Sequence, residues 1–264
     1  MKRLILTAML ATGIAGTAHA DDALKAAIAS KDRTATNVTR DAARHPYETL
    51  TFFGIKPNMT VVELSPGGGW YTEILAPYLR DKGKLIVAGE DPASPKEGAR
   101  RYAANLTKKL ESNATIFGKV QRGVFEPPRV YNIAPAGTAD MVVTFRNLHN
   151  WNDSPEKVKE IFKQVHTVLK PGGVFGVVDH RMPAASPAKP ESGYLHEAEV
   201  IKMVEAAGFK LTAKSEINAN PKDTADHNKG VWSLPPVLAN KDVDREKYMA
   251  IGESDRMTLK FVKK

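Results

Sequence analysis

Three short stretches of the chain gather the groups that chemistry needs. Glu63-Leu-Ser-Pro-Gly-Gly-Gly69 sets a carboxylate ahead of three contiguous glycines. Glycine lets a ligand approach the main chain closely, and a helix starting there offers free N–H donors. The Glu63 carboxylate would repel a pyrophosphate and attract an ammonium group. Arg146-Asn-Leu-His-Asn-Trp151 supplies a guanidinium, two amides and an imidazole. His149 is the general-base candidate, since imidazole titrates near neutral pH, and fixing its own loop through a main-chain hydrogen bond is its other available role. Asp179-His180-Arg181 follows the same logic: Asp179 or His180 would orient a hydroxyl or amine, or the cluster would only salt-bridge across the sheet edge. Asp223, Asp226 and His227 lack a dedicated zinc spacing and read as solvated loop residues, so no metal site is expected.

Each stretch needs a strand to carry it. Thr60–Ser65 is β-rich and breaks at the glycines, and residues 70–80 then place Ile74, Leu75, Tyr78 and Leu79 at helical spacing. Further strands are expected at 84–88, within 115–125, and at 141–145, 174–178, 210–217 and 256–262. Helices are expected at 23–30, 36–44, 99–110 and 194–207. Ser154, Pro155 and Glu156 form a helix start, with Val158, Ile161, Phe162 and Val165 on one apolar face. Strands alternating with helices predict an α/β fold, a doubly wound and mostly parallel sheet. Residues 21–264 read as a single domain with a helical extension at 21–50. A polar insertion at 218–252 is expected to form a lid or a long surface loop.

Residues 1–20 read as a secretory leader: Lys2-Arg3, an apolar run, then Ala18-His19-Ala20 as the cleavage site. The expected product is periplasmic or secreted, soluble and without stable membrane insertion. With no Cys in 264 residues, thiolate metal sites, disulfides and cysteine nucleophiles are excluded. Without Lys2 and Arg3 the basic excess falls from eight to six, and it is dispersed, so nucleic acid is not an expected partner. Oligomeric state is not legible. Glu63-x-Ser65-x-Gly67 mimics a hydrolase nucleophile elbow, but that turn wants glycine where Glu63 stands, and Pro66 has no N–H for an oxyanion hole.

Glu63-Leu-Ser-Pro-Gly-Gly-Gly resembles the first motif of the class I S-adenosylmethionine-dependent methyltransferases, E/D-x-G-x-G-x-G, with Ser65 replacing the first glycine. Asp140-Met-Val-Val-Thr-Phe-Arg-Asn-Leu-His-Asn-Trp151 is similar to that family's fourth strand and following loop. Leu169-Lys-Pro-Gly-Gly-Val-Phe-Gly-Val-Val178 is similar to its helix-to-fifth-strand segment. The resemblance covers roughly residues 47–217, and the leader together with Phe-Arg-Asn-Leu-His-Asn-Trp resembles a group of exported bacterial methyltransferases.

The resemblance implies a Rossmann-like seven-stranded sheet with an antiparallel last strand, and S-adenosylmethionine as cofactor. It implies that Glu63, Ser65, Pro66, Gly67, Gly68 and Gly69 hold the methionine half. Glu90, with Asp91 in reserve, would bind the ribose, since a carboxylate accepts two hydrogen bonds. Phe125, between Val124 and Glu126, would line the adenine pocket or be a plain buried strand end. Arg146 and Asn147 would face the cofactor, and His149, Asp179 and His180 the methyl acceptor, a small molecule or an envelope fragment. Arg44 and Tyr47 would reach the cofactor carboxylate or be helix-end surface residues. The alternative is a non-catalytic exported binding protein on the same scaffold, because S-adenosylmethionine is made in the cytoplasm and fold does not fix function.

Overall fold

The computed structural model describes residues 21–264, and the leader expected at 1–20 lies outside them. Four short helices come first: α1 (Asp22–Ile28), α2 (Ala35–Val38), α3 (Asp41–Arg44) and α4 (Pro46–Phe53). Then follow β1 (Thr60–Leu64), α5 (Thr72–Leu79), β2 (Lys84–Gly89), α6 (Glu97–Glu111), α7 (Ala114–Phe117) and β3 (Gln121–Val124). The second half holds β4 (Ala139–Phe145), α8 (Leu148–Trp151), α9 (Pro155–Val168), β5 (Leu169–Met182), β6 (Leu195–His196), α10 (Glu197–Ala206), β7 (Phe209–Ser215), α11 (Arg245–Ile251) and β8 (Arg256–Lys263). The sheet runs β3-β2-β1-β4-β5-β8-β7. Its first five strands are parallel, and β8 runs antiparallel between β5 and β7.

The strand period of two sorts the core. In β1, Val61 faces the layer of α4 and α5, where it meets Leu50, Phe53, Ile74 and Leu75. Val62 and Leu64 face the opposite layer, with Ile161, Phe162 and Val165 of α9 and Val200 of α10. Glu63 therefore points with Val61 toward α5. Close layer packing explains Gly176 of β5, where a Cβ would lie 2.8 Å from the Phe53 ring. The α9 start is as its sequence implies: Ser154 Oγ accepts the Lys157 N–H at 3.2 Å and Pro155 opens the helix.

The structure corrects a helix start, the strand count, the span of one helix and the setting of Asp223. The helix expected from Tyr194 begins at Glu197, because Leu195 and His196 are drawn out as a ladder with Arg181 and Met182. This two-residue β6 is the eighth strand, where seven were expected. Residues 36–44 form two separate turns of helix rather than one. The 218–252 stretch is mostly irregular but ordered, with a 3₁₀ turn at Gly230–Ser233 and α11. Asp223 anchors it as a buried acceptor, not a solvated loop residue. It takes the Tyr194 hydroxyl, the main-chain N–H of Ala225 and Asp255, and His227 Nε2 at 2.9 Å. No helix among the described residues is long and apolar enough to cross a membrane.

Candidate active site

The glycine turn opens where β1 ends. Ser65 takes a left-handed φ of 48°, the conformation that glycine adopts freely, and its N–H donates to the Ala88 carbonyl at 2.8 Å. Pro66 is partly buried behind it, while Gly67 (φ 57°) and Gly68 are exposed and a Cβ on either would meet nothing within 4 Å. Main chain is thus presented to any ligand lying on the turn. Gly69 (φ 77°) closes it against Thr72 and accepts the Glu73 N–H at 3.0 Å, which starts α5.

Glu63 lies buried beneath this turn, and its one protein partner among the described residues is the Thr72 hydroxyl, which donates to Oε2 at 2.7 Å. Burial raises the carboxyl from 4.5 to about 7, against the opposing pull of the Thr72 hydrogen bond. The unfolded chain ionises Glu63 near 4.5 and the folded one near 7, so the folded state holds the extra proton between those values. Stability therefore falls as pH rises through that window, by up to about 1.4 kcal/mol per pH unit. Glu63→Gln keeps an acceptor for Thr72 and removes the charge. It should match wild type near pH 4 and gain roughly 2–3 kcal/mol above pH 7, as urea unfolding at the two pH values will show. A ligand ammonium over the turn would supply the missing counter-charge.

At the end of β2, two adjacent acids part company. Glu90 is partly buried and its side chain bonds no other residue among those described; burial raises its carboxyl, against a hydrogen bond to its own main chain, and Glu126 raises it further. Asp91 is already committed, to the Arg129 guanidinium and to the Ala93 N–H at 2.8 Å. Glu126 is likewise occupied, by Ser94 Oγ at 2.7 Å and by Arg129. Phe125 is fully buried, edge-on to Trp151 with ring centroids 5.0 Å apart, so it supports the floor of this region from within the core.

The loop after β4 crosses to β5. Asn147 Nδ2 lies 3.2–3.3 Å from the carbonyls of Leu64, Ser65 and Phe145 and from Thr144 Oγ1. Asn147 thus ties the β4 loop to the glycine turn. Asp179 is wholly buried and accepts three donors: Leu148 N–H at 2.6 Å, His180 N–H at 2.7 Å and His149 Nδ1 at 2.8 Å. A carboxylate only accepts, so Nδ1 carries the hydrogen and His149 Nε2 is left as the basic nitrogen. The His180 ring lies 4.9 Å from that of His149, and its Nδ1 meets Ser254 Oγ at 2.5 Å. Burial, then His149 and the arginines 146, 256 and 44, hold His180 well below its ordinary pKa and so neutral.

His149, Asp179 and His180 are close enough to share a cation, their ligand atoms lying within 4.8 Å of one another. Asp179 already accepts three hydrogens, one of them from His149 itself, and the neighbouring guanidinium groups repel added positive charge.

Above this pair lies a cleft of about 290 Å³. Its floor is Arg146, His149 and His180, and its roof is Trp232, Pro235 and Val237 of the insertion. The size suits part of a small molecule. Tyr102 of α6 closes one side.

Several of these groups carry no signal in the sequence. Glu253 pairs with Arg40 at 2.7 Å, Arg256 at 3.0 Å and Arg44 at 3.4 Å, contacts that mostly bridge more than two hundred residues. Arg44 is not a surface residue: it is buried and stacks over the Trp70 ring at 4.7 Å. Tyr47 is engaged at the start of α1, accepting the Asp21 N–H at 3.2 Å.

No protein-family model matches the chain. Over 144 residues, 53% of its length, it is 28% identical to an uncharacterized methyltransferase of Synechocystis, of which the match covers 54%. The chain thus spans about half the length of the curated relative it matches. Among solved structures it superposes on a SAM-dependent methyltransferase from Aquifex aeolicus with a TM-score of 0.55 at 18% identity, covering 85% of this chain and 92% of that one. A SAM-dependent methyltransferase from Methanosarcina mazei gives 0.51 at 14% identity, covering 81% and 96%. The [4+2]-cyclase SpnF gives 0.55 at 13% identity, covering 88% and 84%. At these identities the likeness is one of fold, and it covers more than four fifths of the chain.

Proposed function

We propose that this chain, which has the fold of the class I S-adenosylmethionine-dependent methyltransferases, transfers a methyl group to an acceptor held in the cleft above β4 and β5. The observation that carries the reading is the buried Asp179–His149 pair, which leaves a basic nitrogen lining the cleft, on the loop that Asn147 ties to the glycine turn. The residues at and beside the turn fit the cofactor: open main chain at Gly67 and Gly68, a buried acid in Glu63 with no cationic partner, and in Glu90, past the end of β2, a carboxyl that pairs with no other residue.

S-adenosylmethionine supplies an already activated methyl group, so the protein's task is alignment and proton removal. The backbone of Ser65–Gly69 and Glu63 would hold the methionine half, and Glu90 the ribose hydroxyls. His149 Nε2 would take the proton of the acceptor hydroxyl or amine, whose oxygen or nitrogen gains the methyl group as the sulfonium gives it up and S-adenosylhomocysteine leaves. Asp179 fixes the ring's tautomer and orientation and stabilises the imidazolium that results. Neutral His180 adds no charge to oppose it.

Calorimetric titration with S-adenosylhomocysteine tests the cofactor site, with micromolar binding expected. A well-folded sample that binds neither this product nor S-adenosylmethionine would overturn the reading and favour a non-catalytic binding protein. The leader pattern of residues 1–20 supports export and an acceptor from the cell envelope or a small molecule reaching it. Export predicts a mature chain beginning at Asp21, which N-terminal sequencing of the periplasmic fraction will check; an intact Met1 in all of the protein would exclude it.

A further inference from the structure

The cleft that holds His149 is polar at its floor and apolar at its mouth. The floor presents His149, His180, Ser254 and the amide of exposed Asn150. Glu253 lines it too, but that charge is already spent on Arg40, Arg44 and Arg256. His180 is kept neutral by burial first, then by His149 and the arginines around it, and the same arginines repel a cationic head. The floor therefore suits an uncharged, hydroxyl-bearing group, which both donates and accepts hydrogen bonds.

The mouth is built differently. Tyr102 of α6 is 53% exposed and Val237 of the insertion 56%, and both line the cleft together with exposed Pro236. Among the described residues the other exposed large apolar side chains are Val38, Val243 and Met249, and none of them lines the cleft. Single exposed apolar side chains are ordinary, but two brought to one rim from separate elements make a surface that a ligand can cover. No residue of the glycine turn from Ser65 to Gly69 lines the cleft.

Between floor and rim the roof is fixed. A Cβ on Gly193 would lie 2.7 Å from Val231 Cγ1 and 3.1 Å from the Trp232 ring, and one on Gly230 only 2.2 Å from the Ser192 carbonyl oxygen. The 3₁₀ turn at Gly230–Ser233 is thus pressed against Ser192–Gly193, which sets Trp232 edge-on to His149 with ring centroids 6.2 Å apart. A cleft of about 290 Å³ under a fixed roof has room for a head group alone, so a longer acceptor leaves it across the rim.

We propose that the methyl acceptor is an amphiphile whose hydroxyl-bearing head enters the cleft toward His149 while its apolar chain lies across Tyr102, Pro236 and Val237. The assignment rests on the methyl-transfer reading and adds the acceptor's chemical class to it. A chain lying on the rim is covered on one face only. Each methylene is then worth about half of its full burial, or roughly a twofold gain in affinity.

Methyl, butyl and octyl β-D-glucosides below their micelle concentrations are the probes, titrated by calorimetry into the full chain with and without saturating S-adenosylhomocysteine. Octyl glucoside should bind at least about tenfold more tightly than butyl glucoside, as four methylenes at roughly twofold each imply. Tyr102→Ser and Val237→Ser change exposed positions, so the double variant should fold as wild type does. It should bring the octyl-to-butyl ratio below about twofold, with methyl glucoside and S-adenosylhomocysteine affinities unchanged.

Octyl glucoside that fails to bind wild type, or binds no better than butyl, would overturn the proposal, and so would a chain-length gain that survives in the double variant. A gain that vanishes once S-adenosylhomocysteine is bound, or a loss of S-adenosylhomocysteine affinity in the variant, would assign the rim to the cofactor and overturn it equally. Vesicles of phosphatidylglycerol and phosphatidylcholine test whether the rim is a membrane anchor instead. Wild type should stay in solution, since two side chains bury too little apolar surface to hold it there, and sedimentation that the double variant abolishes would overturn the proposal. Failure of wild type to bind S-adenosylhomocysteine strikes the methyl-transfer reading instead, and the glucoside series still reports on the rim.

Discussion

Asp179→Asn and His149→Ala are each expected to lower kcat for methyl transfer by about 10²–10⁴-fold, the usual worth of a positioned base. The two should be far from additive, because Asp179 acts on the acceptor only through the His149 ring. The double variant should be about as slow as the slower single one. Asp179 also receives the Leu148 and His180 N–H groups, so Asp179→Asn is expected to lose stability as well. His149→Ala separates the two effects. Its loss should fall on kcat, with S-adenosylhomocysteine affinity held within about threefold. Single-turnover rates and calorimetry on the same samples decide it, and a His149→Ala enzyme with unchanged turnover would remove the base from the mechanism.

The second large effect is expected at the end of β2. Glu90→Ala should weaken S-adenosylhomocysteine at least 100-fold, as the loss of two hydrogen bonds to a charged acceptor implies. Asp91→Ala should change the affinity less than about fivefold, because its oxygens already serve Arg129 and the Ala93 N–H. Its penalty belongs to the folding of residues 91–94 against Glu126. Equal losses in both variants would mean that the ribose is held elsewhere.

The parts of this site that a reader can see in the sequence are those made by neighbours in the chain. Glu63 and the three glycines lie within one turn, and the strand before them and the helix after them announce its exposure. His149 and Asp179 are separated by a single helix and strand, so β4 and β5 pairing in register is enough to bring them together. The arginine cluster around Glu253 is different. Arg44, Arg146 and Arg256 obey no spacing, and their meeting depends on β8 entering antiparallel beside β5, with His180 opposite Arg256. Arg44 at the end of a four-residue helix looks like solvated surface until Trp70 and Glu253 close over it. The polar insertion misleads for the same reason: its Asp and Asn side chains bind main chain inside the protein rather than water, as Asp223 and Asn220 do. Leu195–His196 shows the limit of periodicity. Two residues that continue a helical pattern are claimed instead by the end of β5, through Arg181 and Met182.

The position of β8 also governs how the molecule is made. β5 lies inside the sheet, yet its neighbour on one side is β8, which is synthesised after every other strand of the sheet, with Val178 against Thr258 and Phe175 against Phe261. Until they emerge, β5 and β7 are unpaired edges and the apolar faces that Met257, Leu259 and Phe261 will cover stay wet. Such pairing across long sequence separation is slow, since loop entropy is lost before contacts form. The same strand delivers Arg256, with Glu253 and Ser254 just ahead of it, to the cleft. Core closure and completion of the cleft are therefore one event that waits for β8, and a nascent chain stopped short of Arg256 has neither.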